Sequence, residues 1–213
     1  MCIRDRNIAS IFSVPIWESI VPEFDYNKEI FIQCVNSIEK DYPNPDQKFY
    51  LNGYQSPRNV LTHEELLFPL FEYTIQTSIK ATMDLSFVPC RSFLSSAWVN
   101  ISKSNSSVLF NTTQRDTFTG ICFLKQPPNS GKFFITNPAI NPSWQGGLLV
   151  ESKNMYNSEK MHIQPNEGNL FLFPSYLSYG IEPNDHNEES ICVVMSVVCM
   201  PEEVCGEFDN ENS

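Results

Sequence analysis

The 213-residue chain carries 25 Asp or Glu against 14 Lys or Arg, a formal net charge of -11 at pH 7. That length supports one domain with a single sizeable core, and that charge sets nucleic acid aside as an expected partner. No apolar run approaches the roughly 18 to 20 residues that cross a bilayer, and no apolar stretch follows a basic start, so a soluble cytoplasmic chain without membrane contact is expected.

Residues 1–6, "MCIRDR", have neither apolar period nor capping logic and read as a translated adapter scar; leaving them out takes the formal charge to -12. Residues 7–92 then read as an N-terminal strand and helices packing on a core. "FSVPIW" (12–17) is a short extended segment broken by Pro15. Asn27 is placed to cap a helix over 28–40, in which Ile30, Cys34 and Ile38 recur at a spacing of four beside Phe31 and Val35. "DYPNPD" stops it. A second helix is expected over 63–83: Thr62 and Glu65 have capping-box spacing, Leu67, Phe71, Ile75 and Ile79 form a stripe, and Pro69 should kink the first turns or restart the helix.

From about residue 93 the apolar period changes to two. Eight short strands follow, "FLSSAWVNIS", "FTGICFLKQ", "KFFIT", "GGLLVE", "KMHIQ", "NLFLFP", "LSYGIE" and "SICVVMSVVCM", separated by Pro, Gly, Asn and Ser turns. Helices first and strands afterwards predict a mainly β chain: a jelly roll over 93–200 with the helices outside one sheet. Residues 201–213 form an acidic tail, expected to be disordered. Apart from Cys2, six cysteines remain without a Cys-x-x-Cys pair, and buried free thiols are the expectation. None has a His or Lys neighbour in sequence to support a nucleophile. Asn100, Asn105 and Asn111 open sequons that are read as chance.

Five stretches, "IFSVPIW", "NGYQSP", "SSAWVNIS", "FTGICFLKQP" and "PNEGNLFLFPSYLSYGIEPN", stand in an order and at spacings that resemble the 2-oxoglutarate and iron(II) dependent oxygenases of bacteria and phages. The resemblance runs over roughly residues 10–200. It implies a double-stranded β-helix of the cupin-like kind, with iron on two histidines and one further ligand, and a basic side chain for the distal carboxylate of 2-oxoglutarate. It also makes a phage-encoded origin in a host cytoplasm an expectation. Facial N and O ligands leave coordination positions open for cosubstrate and oxygen; the basic group neutralises a carboxylate that would otherwise be desolvated alone.

Carried onto this chain, the resemblance puts the proximal ligand pair at Asn111 and Thr113, the distal histidine at Tyr179 and the basic residue at Glu189. None has the expected side chain. The histidines are His63, His162 and His186, so residues 64–161 hold none, and the last positive charge in the chain is Lys160, followed by ten acids in 161–213. Asp116 and His162 are the weak alternative ligands. His63 and Glu65 form a His-x-Glu pair, but two residues along a helix they diverge by about 200°; a capping role is expected. His186 belongs to a solvated acidic turn, Trp98 and Trp144 to packing, and Tyr179 to filling the mouth of the barrel.

Two functions remain open on the sequence: a non-catalytic relative kept as a binding or structural module, with a protein partner or small ligand and no cofactor, or an active dioxygenase with unconventional ligands. The first is the expectation. A pocket lacking a basic group should repel dianions.

Overall fold

The computed structural model describes residues 13–44, 50–113, 115–139, 154 and 157–205. Within them, α1 (Phe24–Asp41) and α2 (Phe68–Asp84) precede the long strand β4 (Cys90–Ser102). The short strands β1 (Trp17–Ile20), β2 (Tyr50–Leu51) and β3 (Tyr54–Gln55) lie in the same N-terminal part. After β4 come β5 (Ser107–Asn111), β6 (Phe118–Lys125), β7 (Phe133–Thr136), β8 (Lys160–Ile163), β9 (Asn169–Pro174), β10 (Tyr179–Ile181) and β11 (Ser190–Pro201).

They make two antiparallel sheets, one ordered β1-β9-β6-β11-β4-β3 and the other β2-β5-β10-β7-β8. The expected jelly roll with outer helices is therefore what forms. Its strands alternate between two cores. On β11, Ile191, Val193 and Met195 join Ala97, Val99, Ile101 and Leu170 against Phe31, Val35, Leu70 and Phe71 of the helices. Cys192 and Val194 turn the other way, meeting Trp98, Ile121, Phe123, Phe171 and Phe173 of the large sheet and Val108, Phe133, Ile135, Tyr179 and Ile181 of the small one. A strand covered on both faces has no polar side, which is why "SICVVMSV" is nearly continuous in apolar residues.

Several details depart from the sequence reading. The segment around Pro15 pairs only from Trp17, opposite Leu172; proline has no N–H for a ladder bond. α1 begins at Phe24, and Asn27 is no cap: it lies inside the helix, its Nδ2 donating to the Glu23 carbonyl at 3.2 Å. Thr62 and Glu65 make no capping box, since the Thr62 hydroxyl donates to Asn59 O and residues 61–63 and 65–67 form separate 3-10 turns. Of the two expectations for Pro69, restart is the one that forms: it opens α2 after the 3-10 turns, in a first turn where its missing N–H has no partner to lose.

The buried face of α2 is Leu70, Phe71, Thr74, Ser78, Ala81 and Thr82, with Ile75 and Ile79 displaced to its flank. Small residues let the helix sit low on the sheet, where a Cβ at Gly120 would come 3.0 Å from Thr74 Cγ2. The Thr74 hydroxyl donates to Leu70 O within the helix, so its burial leaves no donor unpaired.

β5 has no counterpart in the eight expected strands, and β2 and β3 are too short to show a period. β1, β2 and β3 nevertheless carry the N-terminal segment into both sheets as outer strands. The expected strand "GGLLVE" and Trp144 lie outside the described residues, as does the tail from residue 206. The tail's start is ordered, correcting the expectation: residues 202–205 turn as a helix, Glu202 N donates to Pro89 O at 3.0 Å, and Cys205 is buried. The six cysteines among the described residues are free thiols, as expected.

The small sheet is pinned where Gly131, just before β7, lies under the end of β10. A Cβ there would stand 1.8 Å from Glu182 O, whose own N–H donates to Lys132 O. Gly131→Ala is expected to cost about 2 to 3 kcal/mol, because backbone must move to admit the methyl group. Urea unfolding followed by circular dichroism measures it.

Candidate functional site

β5 ends where β10 begins, and the register sets Asn111 opposite Tyr179. Their side chains meet between the sheets, Asn111 Nδ2 donating to the Tyr179 hydroxyl at 3.2 Å. Both are almost fully buried. Phe133 and Phe173 contact the Tyr179 ring from two sides, at centroid distances of 6.4 and 5.5 Å. Thr113 is also buried and shares a short hydrogen bond with the hydroxyl of Thr119 on β6.

Three of the four positions singled out in the sequence thus cluster at one end of the barrel. Glu189 does not join them. It precedes β11 with the parity of Ile191 and Val193, which pack towards the helices, and no described hydrogen bond or ion pair links it to the others.

Asp116 holds the turn after β5: its N–H donates to Thr113 O, and Oδ1 accepts from Ser95 Oγ at 2.7 Å. His162 pairs across the sheet with Phe134, on the face opposite Phe133, and its Nε2 lies 3.1 Å from Glu182 Oε1 at the surface. The structure therefore does not bring Asp116 and His162 together. His63 is exposed on a 3-10 turn, and His186 Nδ1 accepts the Glu188 N–H inside its own turn.

The sequence reading missed a cation. It sought a positive charge on the last strands, but Arg58, from the turn after β3, sets its guanidinium carbon 4.6 Å from the centre of the Trp98 ring. Trp98 is a fully buried residue of the barrel core. Arg58 O accepts the Ala97 N–H, which fixes the turn against β4. The stretch "NGYQSP" ends one residue before this arginine, so proximity to a resemblance motif was the available signal.

Nor did the sequence show the polar side chains sharing this face. Gln55 sits opposite Asn100, and Asn100 opposite Cys192, in one row across β3, β4 and β11. Both amide atoms of Gln55, Trp98 Nε1, Asn111 Oδ1 and Ser196 Oγ are buried without a described hydrogen-bond partner.

Burial decides the protonation of the groups here. It raises Tyr179 far above the ordinary phenol value, with the neighbouring Cys192 adding to the effect and the Arg58 charge and Asn111 opposing it. The Cys192 thiol is pushed up to about 12 by burial, opposed by Asn100. These groups are a neutral phenol and a neutral thiol at physiological pH.

The iron implied by the sequence resemblance does not fit such a set. It would meet a carboxamide already bonded through its nitrogen, a hydroxyl bonded to Thr119 and a protonated phenol, with no imidazole among them. Among the described residues no group of three His, Cys, Asp or Glu is arranged to hold a metal.

Residues 96–196 match the family described as "Putative 2OG-Fe(II) oxygenase". No curated protein sequence matches the chain. Among solved structures, a prolyl-4-hydroxylase of Pseudomonas putida superposes with a TM-score of 0.60 at 10% identity, over 87% of this chain and 93% of that one. HygX of Streptomyces hygroscopicus, solved with nickel, 2-oxoglutarate and hygromycin B, gives 0.61 at 8% identity over 87% and 83%. The viral collagen prolyl hydroxylase of Paramecium Bursaria Chlorella virus-1 gives 0.54 at 12% over 85% and 94%. The fold is the double-stranded β-helix of these proteins.

The raised pKa values give a pH signature. For a group whose folded pKa lies above its unfolded value, the folded state keeps a proton that the unfolded state has lost at high pH. That contribution to stability is complete below the unfolded value, 9.0 for the thiols and 10.0 for the phenol, and falls as pH rises beyond it. Urea unfolding at about pH 8 and about pH 10 is expected to show a drop, and Cys192→Val is expected to make it shallower.

Proposed function

We propose that this oxygenase-like chain is a non-catalytic module, using its β-helix as a scaffold for binding or assembly. The observation that carries the reading is the buried hydrogen bond between Asn111 and Tyr179. Two positions that the sequence resemblance assigns to metal ligands are tied to one another in a wall of aromatic rings, Asn111 donating to the Tyr179 hydroxyl. What they present is a neutral carboxamide oxygen and a protonated phenol, weak donors for iron(II) without an imidazole or carboxylate beside them. The third position, Thr113, is engaged with Thr119.

The dioxygenase alternative finds less support. Its candidate ligands Asp116 and His162 point to different parts of the molecule, one bonded to Ser95 and the other at Glu182 on the outer face.

A protein partner suits the outer surface better than a small ligand suits the barrel. A concavity of about 440 Å³ lies outside the barrel, between the end of α2 and the start of β4, lined by Ile79, Met83, Phe87, Val88 and Phe93 with Arg91 and Glu202 among its polar groups. Several of these apolar side chains are more than half exposed, Met83 at 67% and Val88 at 62%.

Anaerobic titration with iron(II) is the test. The wild-type chain is expected to take up far less than one equivalent and to show no iron-dependent decarboxylation of millimolar 2-oxoglutarate. Near-stoichiometric iron that disappears in a His162→Ala or Asp116→Asn variant would establish the alternative.

A further inference from the structure

Strand β4 is paired along its whole length on one side only. β11 runs beside it from Cys90 to Ser102, whereas β3 meets it at Asn100 and Ile101 alone. Ser56 N donates to Val99 O and Ala97 N to Arg58 O, which carries that second contact no further than Ala97. No described residue offers its backbone to the outer side of residues 92–96. An edge of this kind presents unpaired N–H and C=O groups, and the partner that matches them is another extended backbone.

The concavity of about 440 Å³ lies along this same edge. Successive side chains of a strand leave on opposite faces, so a hollow on one face touches every second residue. This one is lined by the four consecutive residues 90–93 and by none of the neighbouring strand β11 (Ser190–Pro201), which puts it beside β4 rather than over it. Its far wall is Ile79 and Met83 of α2 with Phe87 and Val88 of the connection. A strand edge facing a helix across an apolar hollow supplies backbone bonds on one side and a seat for alternate side chains on the other.

We propose that this groove takes a short extended segment of a partner protein, added to β4 as a further strand, with apolar side chains two residues apart and basic residues flanking them. The inference rests on the reading of the chain as a binding module and names the class of its partner. The flanking charge follows from the rim. Glu202 lines the hollow, Glu203 beside it is exposed, and no Lys or Arg follows Lys160; Arg91 is the one basic group among the described lining residues. Residues 206–213, "GEFDNENS", hold three acids and no base, so the same charge disfavours them as the occupant. A second copy is disfavoured by area: a stable dimer buries about 800 Å² on each partner, and Met83, Phe87, Val88 and Phe93 together expose roughly half of that.

The test uses fluorescein-labelled peptides of the pattern Lys-Thr-x-Thr-x-Thr-Lys, with Val, Leu, Ile or Phe at x, and reads anisotropy against the full chain without added metal. The best of them is expected to bind at least tenfold more tightly than its twin with Glu in place of Lys, and to lose at least tenfold against Met83→Lys/Val88→Lys, two substitutions at exposed positions. Two further twins carry N-methyl groups on one or the other alternate set of amides. One of them is expected to lose binding, because only one set faces β4; unchanged binding of both would remove the added strand. Absence of binding below about 1 mM for every Lys-flanked peptide would overturn the proposal. So would a chain that is dimeric by light scattering and monomeric as Val88→Lys, which assigns the groove to a second copy. A Phe208→Ser chain that binds the best peptide tenfold more tightly would assign it to the chain's own tail, with the same consequence. Stoichiometric iron would strike the non-catalytic reading alone, and lack of peptide binding the groove alone, so the two failures are separable.

Discussion

Strand β11 has no solvent side, and much of the molecule follows from that. From Ser190 to Val197 every residue is buried, with alternate side chains serving the helix-side core and the barrel core. A charged side chain on the barrel face of this strand would be desolvated outright and would need a bound counter-charge. Where no anion is to be held, a neutral residue is the stable choice. Cys192 and Val194 on the barrel face meet that condition, and so does the thiol's neutral form, held by burial. The absence of a basic side chain from the barrel face of β11 therefore agrees with the strand's environment.

The same constraint explains which parts of the fold could be read in advance. Strands covered on one or both faces, such as "NLFLFP" and "SICVVMSVVCM", announce themselves by composition, and their observed bounds lie within about one residue of those expected. Very short strands do not. β2 and β3 each span two residues, too few for any period, and β5, though paired on both sides, is short and flanked by polar turns. The start of α2 was misread because Thr62 and Glu65 satisfy a spacing rule locally, while the chain instead makes two 3-10 turns that deliver Leu61 and Leu67 into the core. Tertiary burial outweighed the capping pattern there.

At the site, Asn111, Thr113 and Tyr179 were legible only through the resemblance, whose spacings were counted onto the chain; ladder register then sets Asn111 opposite Tyr179. Glu189 lies at a strand start, where a single residue of offset reverses the face, and it stands apart from the other three. Arg58 was invisible on different grounds. It is separated from Trp98 by forty positions and reaches it only because Arg58 O is bonded to Ala97 N, a contact between a turn and a strand edge that no periodicity encodes. The same holds for the facing of Gln55 by Asn100.

Those unpartnered polar atoms place a limit on what the barrel can be. A buried donor or acceptor without a partner costs about 1 to 3 kcal/mol, and this face carries several, on Gln55, Trp98, Asn111 and Ser196. A core selected for stability alone would exchange them for apolar groups. Their places are specific: Trp98 lies under the Arg58 guanidinium, Gln55 stands in the ladder row with Asn100, Asn111 bonds Tyr179, and Ser196 lies opposite Thr119, the partner of Thr113. The barrel therefore combines an aromatic wall, in which Phe133 and Phe173 meet the Tyr179 ring, with an inner face that keeps polar side chains out of water at a cost in stability.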